Sequence, residues 1–282
     1  MKSLLSDKRC SCRFASAFTM IELLAILGVL TVLACVLAPA LARTRRSTNS
    51  AQCLSNVRQL MAAWTMYADD SRAGLPPNRD GGNAGKSAGD ASWAGGWIDY
   101  SSSTDNTNTA LLVDHSRYPY GAYLGPYLRT ATVFKCPSDL SMVSIGAQRY
   151  PRVRSVSMNG RVGAMARSWS GTFTFPLYTT VASLVAPKPS ELFVLTDEHP
   201  GSINDPVFQV DPETLWQMID YPAGYHNAAA SFGFADGHVE LHRWQDPRTV
   251  PASAAGTLIP LSVSLPRDQD VLWIQQHCAA RR

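Results

Sequence analysis

The chain has 282 residues, of which 45% are hydrophobic and 17% are charged. Its 19 glycines and 18 prolines exclude a collagen-like or low-complexity chain, and its six cysteines are too few for a disulfide scaffold. The 25 basic and 22 acidic side chains leave a net charge of +3. That balance is too small for a nucleic-acid-binding surface, so no nucleic-acid partner is expected.

The whole of the net charge lies in residues 1–17, which hold four basic residues and one acidic residue. Soon after this head, the twenty residues from Leu23 to Ala42 carry no formal charge. As an α-helix, such a run would span about 30 Å, which is the thickness of the hydrocarbon core of a bilayer. A basic head before an apolar run predicts a membrane-spanning segment whose N-terminus lies in the cytoplasm.

Two ordinary interpretations fit this charge order. A secretory signal peptide would be cut after the A-x-A-like residues 40–42, and a plain membrane anchor would need only the apolar run. Neither accounts for Glu22, a carboxylate at the edge of that run, which would cost about 2.5 kcal/mol or more in lipid. A position in the headgroup region, where the acid costs little, stays open.

The residues around Glu22 form a motif. Ala17 is followed by Phe-Thr-Met-Ile-Glu-Leu-Leu at 18–24, and this resembles the N-terminus of the type IV prepilin family, which includes the pseudopilins of type II secretion. The resemblance implies that a prepilin peptidase removes the leader 1–17 by cutting between Ala17 and Phe18, and that it methylates the new amino group. It also implies that Glu22 pairs with the N-terminus of a neighbouring subunit during assembly. The family usually has glycine where this chain has Ala17.

Apolar residues continue beyond the membrane run at helical spacing. Steps of three and four residues predict an amphipathic half of the same helix over 43–70, after the membrane and assembly half over 18–42. The apolar positions are Ala51, Leu54, Val57, Met61, Trp64 and Tyr67. The resemblance implies that Pro39 bends this helix.

Residues 71–282 are predicted to form an extracytoplasmic, pilin-like domain rich in β-structure. Strand character is found at 132–135, 154–158 and 191–196. Asp236-Gly237 predicts a two-residue hairpin turn that pairs Phe234 with Val239 and Phe232 with Leu241. The predicted fold class is α+β, with a long N-terminal helix packed on a mostly antiparallel β-sheet with long loops.

Two further features concern the cysteines and the C-terminal part. His226 is separated by nine residues from Asp236-Gly237, and this resembles an H-x9-DG motif found near the C-terminus of many prepilin-type proteins. The stretches around Cys53 and Cys136 are similar to other blocks of that group. A domain outside the cytoplasm permits disulfides, so a Cys53–Cys136 disulfide is expected, with Cys278 as a competing partner.

Four acidic residues, Asp197, Glu198, Asp205 and Asp236, are candidate metal ligands. Oxygen-rich loops hold Ca²⁺, and some pseudopilins similar to this chain bind it in a loop, so Ca²⁺ is the one cofactor considered. The alternative is that these acids cap turns and form the hairpin turn. The spacing matches neither an EF-hand nor an H-E-x-x-H zinc motif.

The sequence contains no P-loop and no dinucleotide-binding fingerprint, and no enzyme activity is predicted. The expected function is that of a pilin-like structural subunit, which assembles through its N-terminal helix into a type II secretion pseudopilus or a type IV pilus-like filament. The expected location is the bacterial inner membrane, with the C-terminal domain in the periplasm. The expected partners are the prepilin peptidase, other pilin-like subunits and the assembly machinery. The alternative is a membrane-anchored module that binds metal, or glycan through Trp93, Trp97 and Tyr100.

Overall fold

The computed structural model describes residues 19–163, 175–254 and 256–281. The predicted leader 1–17, with Ala17, and the next residue, Phe18, lie outside the described residues. Within the first helix, the side chains of residues 36, 39–43, 45 and 46 are also outside the described set.

The chain divides into two units, one ending at Arg45 and the other beginning at Arg46. Helix α1 is assigned to Met20–Asp70 and contributes residues to both units. Pro39 lies within α1, and because its side chain is not described, the bend remains a prediction. Among the described residues, no helix combines the length and the apolar character needed to cross a membrane.

In its described residues, the second unit contains two further α-helices and nine short strands. Helix α2 is Ala110–Val113 and α3 is Gln269–Cys278, and five 3-10 turns lie at Ala88–Asp90, Thr104–Asn106, Gly125–Tyr127, Ala131–Phe134 and Val181–Ser183. The strands are β1 Met142–Ile145, β2 Gln148–Pro151, β3 Val156–Asn159, β4 Phe193–Asp197, β5 Val207–Phe208, β6 Gln217–Met218, β7 Ala229–Phe234, β8 Val239–Arg243 and β9 Val263–Ser264.

Five of the strands form the central sheet, in the order β5-β3-β4-β7-β8. Strands β3/β4, β4/β7 and β7/β8 pair antiparallel, whereas β3/β5 pair in parallel. Two separate two-stranded sheets are formed by β1 with β2 and by β6 with β9. The α+β class predicted from the sequence is therefore confirmed, and the central sheet is mostly antiparallel.

The central sheet is covered on both faces, which explains why every residue of β7 is buried. Successive side chains of a strand point to opposite faces. Phe232 contacts Trp273 of α3 with ring centroids 5.1 Å apart. A Cβ added to the next residue, Gly233, would lie 2.6 Å from Met61 of α1. The 46–70 part of α1 and helix α3 therefore enclose the sheet.

Helix α3 is preceded by a residue whose side chain accepts hydrogen bonds from backbone N–H groups of the first turn. The Asp268 carboxylate accepts hydrogen bonds from the backbone N–H groups of Asp270 and Val271. This arrangement is an N-cap, which fixes the first turn of the helix. The prediction of strands and turns did not include this helix.

The strands predicted at 154–158 and 191–196 correspond to β3 and β4, but the hairpin register was wrong by one residue. Phe232 pairs with Glu240, and Gly233 pairs with Val239. The Gly237 N–H donates to the Phe234 carbonyl at 2.8 Å, and Gly237 has a φ of +91°. This is a three-residue loop, in which a type I turn is followed by a left-handed glycine, rather than the predicted two-residue turn.

The strand predicted at 132–135 was also wrong, because Ala131–Phe134 forms a 3-10 turn. The Thr130 hydroxyl accepts a hydrogen bond from the Thr132 N–H and caps this turn. Its apolar residues Val133 and Phe134 are buried in the main core, so the hydrophobic pattern was real but belonged to a turn. A short apolar run does not distinguish a strand from a turn by itself.

Candidate functional site

A buried group of thiol, carboxylate and imidazole side chains lies between α1 and the central sheet. It consists of Cys53, Cys136, Asp197 and His226, and we name it the Cys–Asp–His cluster. The possible ligand atoms of the four side chains all lie within 4.8 Å of one another. Of the residues that the structure describes, only these four bring three or more such atoms so close together.

Each member of the cluster comes from a different part of the chain. Cys53 is on α1, and Cys136 follows the 3-10 turn Ala131–Phe134 by two residues. Asp197 is the last residue of β4, and His226 precedes β7. One helix, the end of one strand and two loop segments therefore converge on a single point.

Two contacts hold the cluster together. The Cys53 thiol donates a hydrogen bond to Oδ2 of Asp197 at 3.0 Å. Sγ of Cys136 lies 3.3 Å from Nε2 of His226. Cys53 thus contacts a carboxylate and Cys136 an imidazole, and the two thiols also interact with each other.

Serine residues surround the cluster and hold its members in place. Ser50 Oγ lies 3.1 Å from Nδ1 of His226, on the side of the ring opposite Cys136. Ser231 Oγ donates to Oδ2 of Asp197 at 2.5 Å. The backbone N–H of Ser138 donates to Sγ of Cys136 at 3.4 Å.

The pKa values of the cluster are shifted in different directions. The hydrogen bond with Cys136, burial and the Asp197 charge all raise the pKa of the Cys53 thiol. The side-chain interaction with Cys53 lowers the pKa of Cys136, and the interaction with His226 lowers it further, although burial and the Asp197 charge act in the opposite direction. Burial opposes protonation of His226, but the hydrogen bond with Cys136 and the nearby negative charges leave its pKa raised. Cys136 is therefore the thiol that ionises first.

The disulfide expected between Cys53 and Cys136 is not formed in the structure. Both residues are free thiols, and each thiol contacts a polar partner in the cluster instead. Cys278, the competing partner, is a free buried thiol that donates to the Gln275 carbonyl at 3.2 Å. The sequence thus predicted the proximity of Cys53 and Cys136 but not their chemical state.

The acidic residues predicted to bind Ca²⁺ do not come together. Asp197 belongs to the Cys–Asp–His cluster, whereas Glu198 accepts a hydrogen bond from the Ser202 hydroxyl at 2.8 Å. Asp205 accepts backbone N–H groups of Gly81 and Val207, at 2.8 Å each. Asp205 therefore caps turns, as the alternative to metal binding predicted.

Burial raises the pKa of these inner acids. The pKa of Glu198 rises to about 8 and that of Asp205 to about 6, in both cases because burial disfavours the charged carboxylate.

The H-x9-DG motif is split between two places. His226 is in the cluster, while Asp236 and Gly237 form the exposed hairpin turn between β7 and β8. Oδ1 of Asp236 accepts the backbone N–H of His238 at 3.1 Å. Asp236 therefore shapes the turn and is not a ligand of the same site as Asp197.

Glu22 has a local structural role that the sequence analysis missed. Its carboxylate accepts hydrogen bonds from the N–H and the hydroxyl of Thr19, both at 2.8 Å. The Thr19 hydroxyl in turn accepts the Glu22 N–H at 3.2 Å. This is a capping box, which the spacing T-x-x-E at the start of a helix signals in the sequence.

Two residues, Ser87 and Cys136, occur in patterns typical of hydrolase nucleophiles, but neither has the position in the fold that a nucleophile needs. Gly85–Gly89 fits the pattern G-x-S-x-G, but Ser87 lies on an exposed turn rather than between a strand and a helix, and its hydroxyl donates to Asp90 at 2.7 Å. Cys136 and His226 resemble a nucleophile and its base, and a cavity of about 650 Å³ lies beside Cys136. Only 1% of Cys136 is exposed, however, which leaves a substrate no access to its sulfur.

Of the three rings considered for glycan binding, Trp93 lies in the core, whereas Trp97 and Tyr100 are partly exposed. Trp93 is fully buried, stacks on Phe134 and donates its ring N–H to the Pro206 carbonyl at 3.0 Å. The Tyr100 hydroxyl donates to the Pro200 carbonyl, and the Arg152 guanidinium lies over its ring at 4.4 Å. Trp93 therefore belongs to the core, and Tyr100 packs at its edge.

Comparison of the chain with protein-family models, with curated proteins and with solved structures gave no match.

Proposed function

We propose that this chain is a pilin-like structural subunit. In this proposal it is inserted into the inner membrane as a precursor, cleaved before Phe18 and methylated there by a prepilin peptidase. The mature chain then assembles with other pilin-like subunits, through residues 18–42, into a type II secretion pseudopilus or a type IV pilus-like filament. The C-terminal domain stays outside the cytoplasm.

The exposed apolar residues of the first unit carry this proposal. Large apolar side chains are exposed at almost every turn of α1 between residues 20 and 37; they are Met20, Ile21, Leu23, Leu24, Ile26, Leu27, Val29, Leu30, Val32, Leu33 and Leu37. They lie on all sides of the helix, since consecutive and alternate positions are included. A helix that is apolar on all sides is stable only when lipid or other helices surround it.

Glu22 supports assembly rather than simple anchoring. In the uncleaved chain its carboxylate is satisfied by Thr19. Cleavage before Phe18 would create an ammonium group four residues away, and neither that ammonium nor Glu22 is favourable alone in an apolar environment. Pairing the Phe18 ammonium of one subunit with Glu22 of the next neutralises both, and it fixes the register more than it adds stability.

The proposed pairing predicts a distance that crosslinking can test. A stagger of four residues shifts neighbouring helices by about 6 Å along their axes. With helix axes 8–10 Å apart, equivalent residues of two subunits would lie roughly 11 Å from each other. Cys35 is exposed, whereas Cys53, Cys136 and Cys278 are buried, so a short bis-maleimide applied to membranes should join two subunits through Cys35.

The expected result is a crosslinked dimer of the full-length mature chain in cells that supply the peptidase and the assembly machinery. Cys35→Ser should abolish the dimer, and Cys278→Ser should leave it unchanged. Correctly processed chains that stay monomeric under the same treatment would contradict assembly through this helix.

One observation favours a second candidate function. The side chains of the Cys–Asp–His cluster are of the types that bind metal ions. The cluster would therefore also fit a membrane-anchored, metal-binding module that does not assemble. Such a module would give no Cys35 dimer, and the same crosslinking experiment therefore separates the two candidates.

A further inference from the structure

We propose that the Cys–Asp–His cluster binds one Zn²⁺ ion, held by Sγ of Cys53, Sγ of Cys136, a carboxylate oxygen of Asp197 and Nε2 of His226. The site would be a closed, structural zinc site that joins α1 to the central sheet. Neither the predicted disulfide nor the predicted Ca²⁺ site included this combination of ligands.

The donor atoms select the metal. Zn²⁺ is bound by thiolate, imidazole and carboxylate groups, and its structural sites have four protein ligands. Ca²⁺ and Mg²⁺ prefer oxygen ligands, and this cluster offers only one carboxylate. Two soft sulfur donors with one nitrogen therefore favour Zn²⁺ over either of them.

The spacing of the donor atoms is close to that of a tetrahedral site. With Zn–S bonds of about 2.3 Å and Zn–N or Zn–O bonds of about 2.0 Å, tetrahedral ligand atoms lie roughly 3.3–3.8 Å apart. Here Cys53 Sγ and Asp197 Oδ2 are 3.0 Å apart, and Cys136 Sγ and His226 Nε2 are 3.3 Å apart. No pair of the four atoms exceeds 4.8 Å, so rotations of the side chains suffice to form the site.

The surrounding serines orient the ligands as metal sites require. A ligating histidine usually donates its other ring N–H to an oxygen, which fixes the tautomer. Ser50 Oγ at Nδ1 of His226 provides that oxygen and leaves Nε2 free to bind the metal. The backbone N–H of Ser138 donates to the sulfur of Cys136, and Ser231 Oγ donates to the carboxylate of Asp197. These two anionic ligands therefore have hydrogen-bond partners in addition to the metal.

Burial indicates a structural role rather than a catalytic one. Cys53, Cys136 and Asp197 are at most 1% exposed, and His226 is 8% exposed. A catalytic zinc ion keeps an open position for water or substrate, whereas a structural one is enclosed by four protein ligands. Zinc binding converts both thiols to thiolates and releases their protons to solvent, which makes the affinity fall at low pH.

The first test measures zinc in the full chain, purified in mild detergent with and without reductant. We expect about one zinc per chain by elemental analysis, since the cluster provides one set of four ligands. X-ray absorption at the zinc edge should show two sulfur ligands and two nitrogen or oxygen ligands. Replacement by Co²⁺ should give thiolate-to-cobalt charge-transfer bands and the visible bands of a tetrahedral ion.

Variants then assign the zinc to these residues. Cys136→Ser should lose the metal, and His226→Cys should retain it, because cysteine supplies an equivalent ligand. Ser50→Ala, which removes the hydroxyl that contacts Nδ1 of His226, should weaken zinc binding roughly 10- to 100-fold in a chelator competition. Cys278→Ser is the matched control, since Cys278 is also a buried free thiol but lies outside the cluster, and it should bind zinc like the parent chain.

Any of four results would overturn this assignment. The first is a parent chain that neither contains zinc nor takes it up after reduction, and the second is a parent chain whose intact mass is lower by two hydrogens because Cys53 and Cys136 form a disulfide. The third is a different metal at the site, and the fourth is zinc that Cys136→Ser retains. Because the parent chain is measured directly, the outcome does not depend on whether a variant folds, nor on whether subunits assemble.

Discussion

At the scale of single residues, the clearest constraint is the absence of a side chain at Gly233. A Cβ at this position would lie 2.6 Å from Cγ and 2.8 Å from Sδ of Met61, and 3.1 Å from Val57. Glycine here lets α1 approach strand β7 of the central sheet. The interface between helix and sheet thus depends on one position that hydrophobic patterning alone does not identify.

Gly233→Ala should lower the free energy of unfolding of the full chain by about 1–3 kcal/mol, because Met61 and the helix backbone must shift. The measurement is denaturant unfolding followed by tryptophan fluorescence. Gly82→Ala is the control, since its added Cβ would lie 3.8 Å from Trp97, which is ordinary van der Waals contact. Equal stability of the two variants would contradict the close approach of α1 to β7.

Asp205 predicts a pH dependence of stability. Its pKa in the folded chain is raised to about 6 by burial, against a value near 3.8 when unfolded. Between those values the folded chain holds a proton that the unfolded chain lacks, so the unfolding free energy falls as pH rises from 4 to 6. The loss attributable to this group is up to about 3 kcal/mol.

The comparison of the parent chain with Asp205→Asn isolates this contribution. The variant cannot titrate at this position, so its stability should decline less over the same pH range. Parallel pH profiles for the two proteins would show that Asp205 ionises normally in the folded state.

At the scale of elements, local sequence chemistry predicted some structure and missed the rest for identifiable reasons. Asp236-Gly237 correctly marked the β7/β8 turn, but Gly237 closes a three-residue loop, so each pairing moved by one residue. The capping residues Asp268 and Thr19 were readable signals that the prediction did not use. The cluster was not predictable locally, because Cys53 and Asp197 are 144 positions apart and Cys136 and His226 are 90 apart.

The N-cap of α3 gives a prediction at this scale. Asp268→Ala removes the acceptor for two backbone N–H groups and should cost about 1 kcal/mol of stability. Asp268→Asn keeps an acceptor oxygen and should cost much less. Thermal unfolding monitored by circular dichroism distinguishes the two, and similar melting temperatures would argue against the cap.

At the scale of the whole molecule, the two units differ in whether their large apolar side chains are buried or exposed. The unit from Arg46 buries most of its described large apolar side chains around the central sheet, whereas those described between residues 20 and 37 of the other unit are exposed. A folded domain that carries an exposed apolar helix needs lipid or partner helices. That asymmetry is the physical basis for proposing a subunit rather than an independent protein.

Glu22→Ala tests the assembly half of this account. The variant should be cleaved normally, because the peptidase acts between Ala17 and Phe18, but Cys35 crosslinking should fall to background since the Phe18 ammonium loses its partner. Glu22→Asp retains the charge and should retain part of the crosslinking. Undiminished dimer formation in Glu22→Ala would contradict the proposed pairing.

The most direct test of the central claim is the mass of the N-terminal peptide of the mature chain, isolated from membranes of cells that contain a prepilin peptidase. For a processed pilin-like subunit we expect a peptide that begins at Phe18 and carries one methyl group on its amino nitrogen. A chain that begins at Arg43, which indicates signal peptidase, or one that still contains residues 1–17 would contradict it.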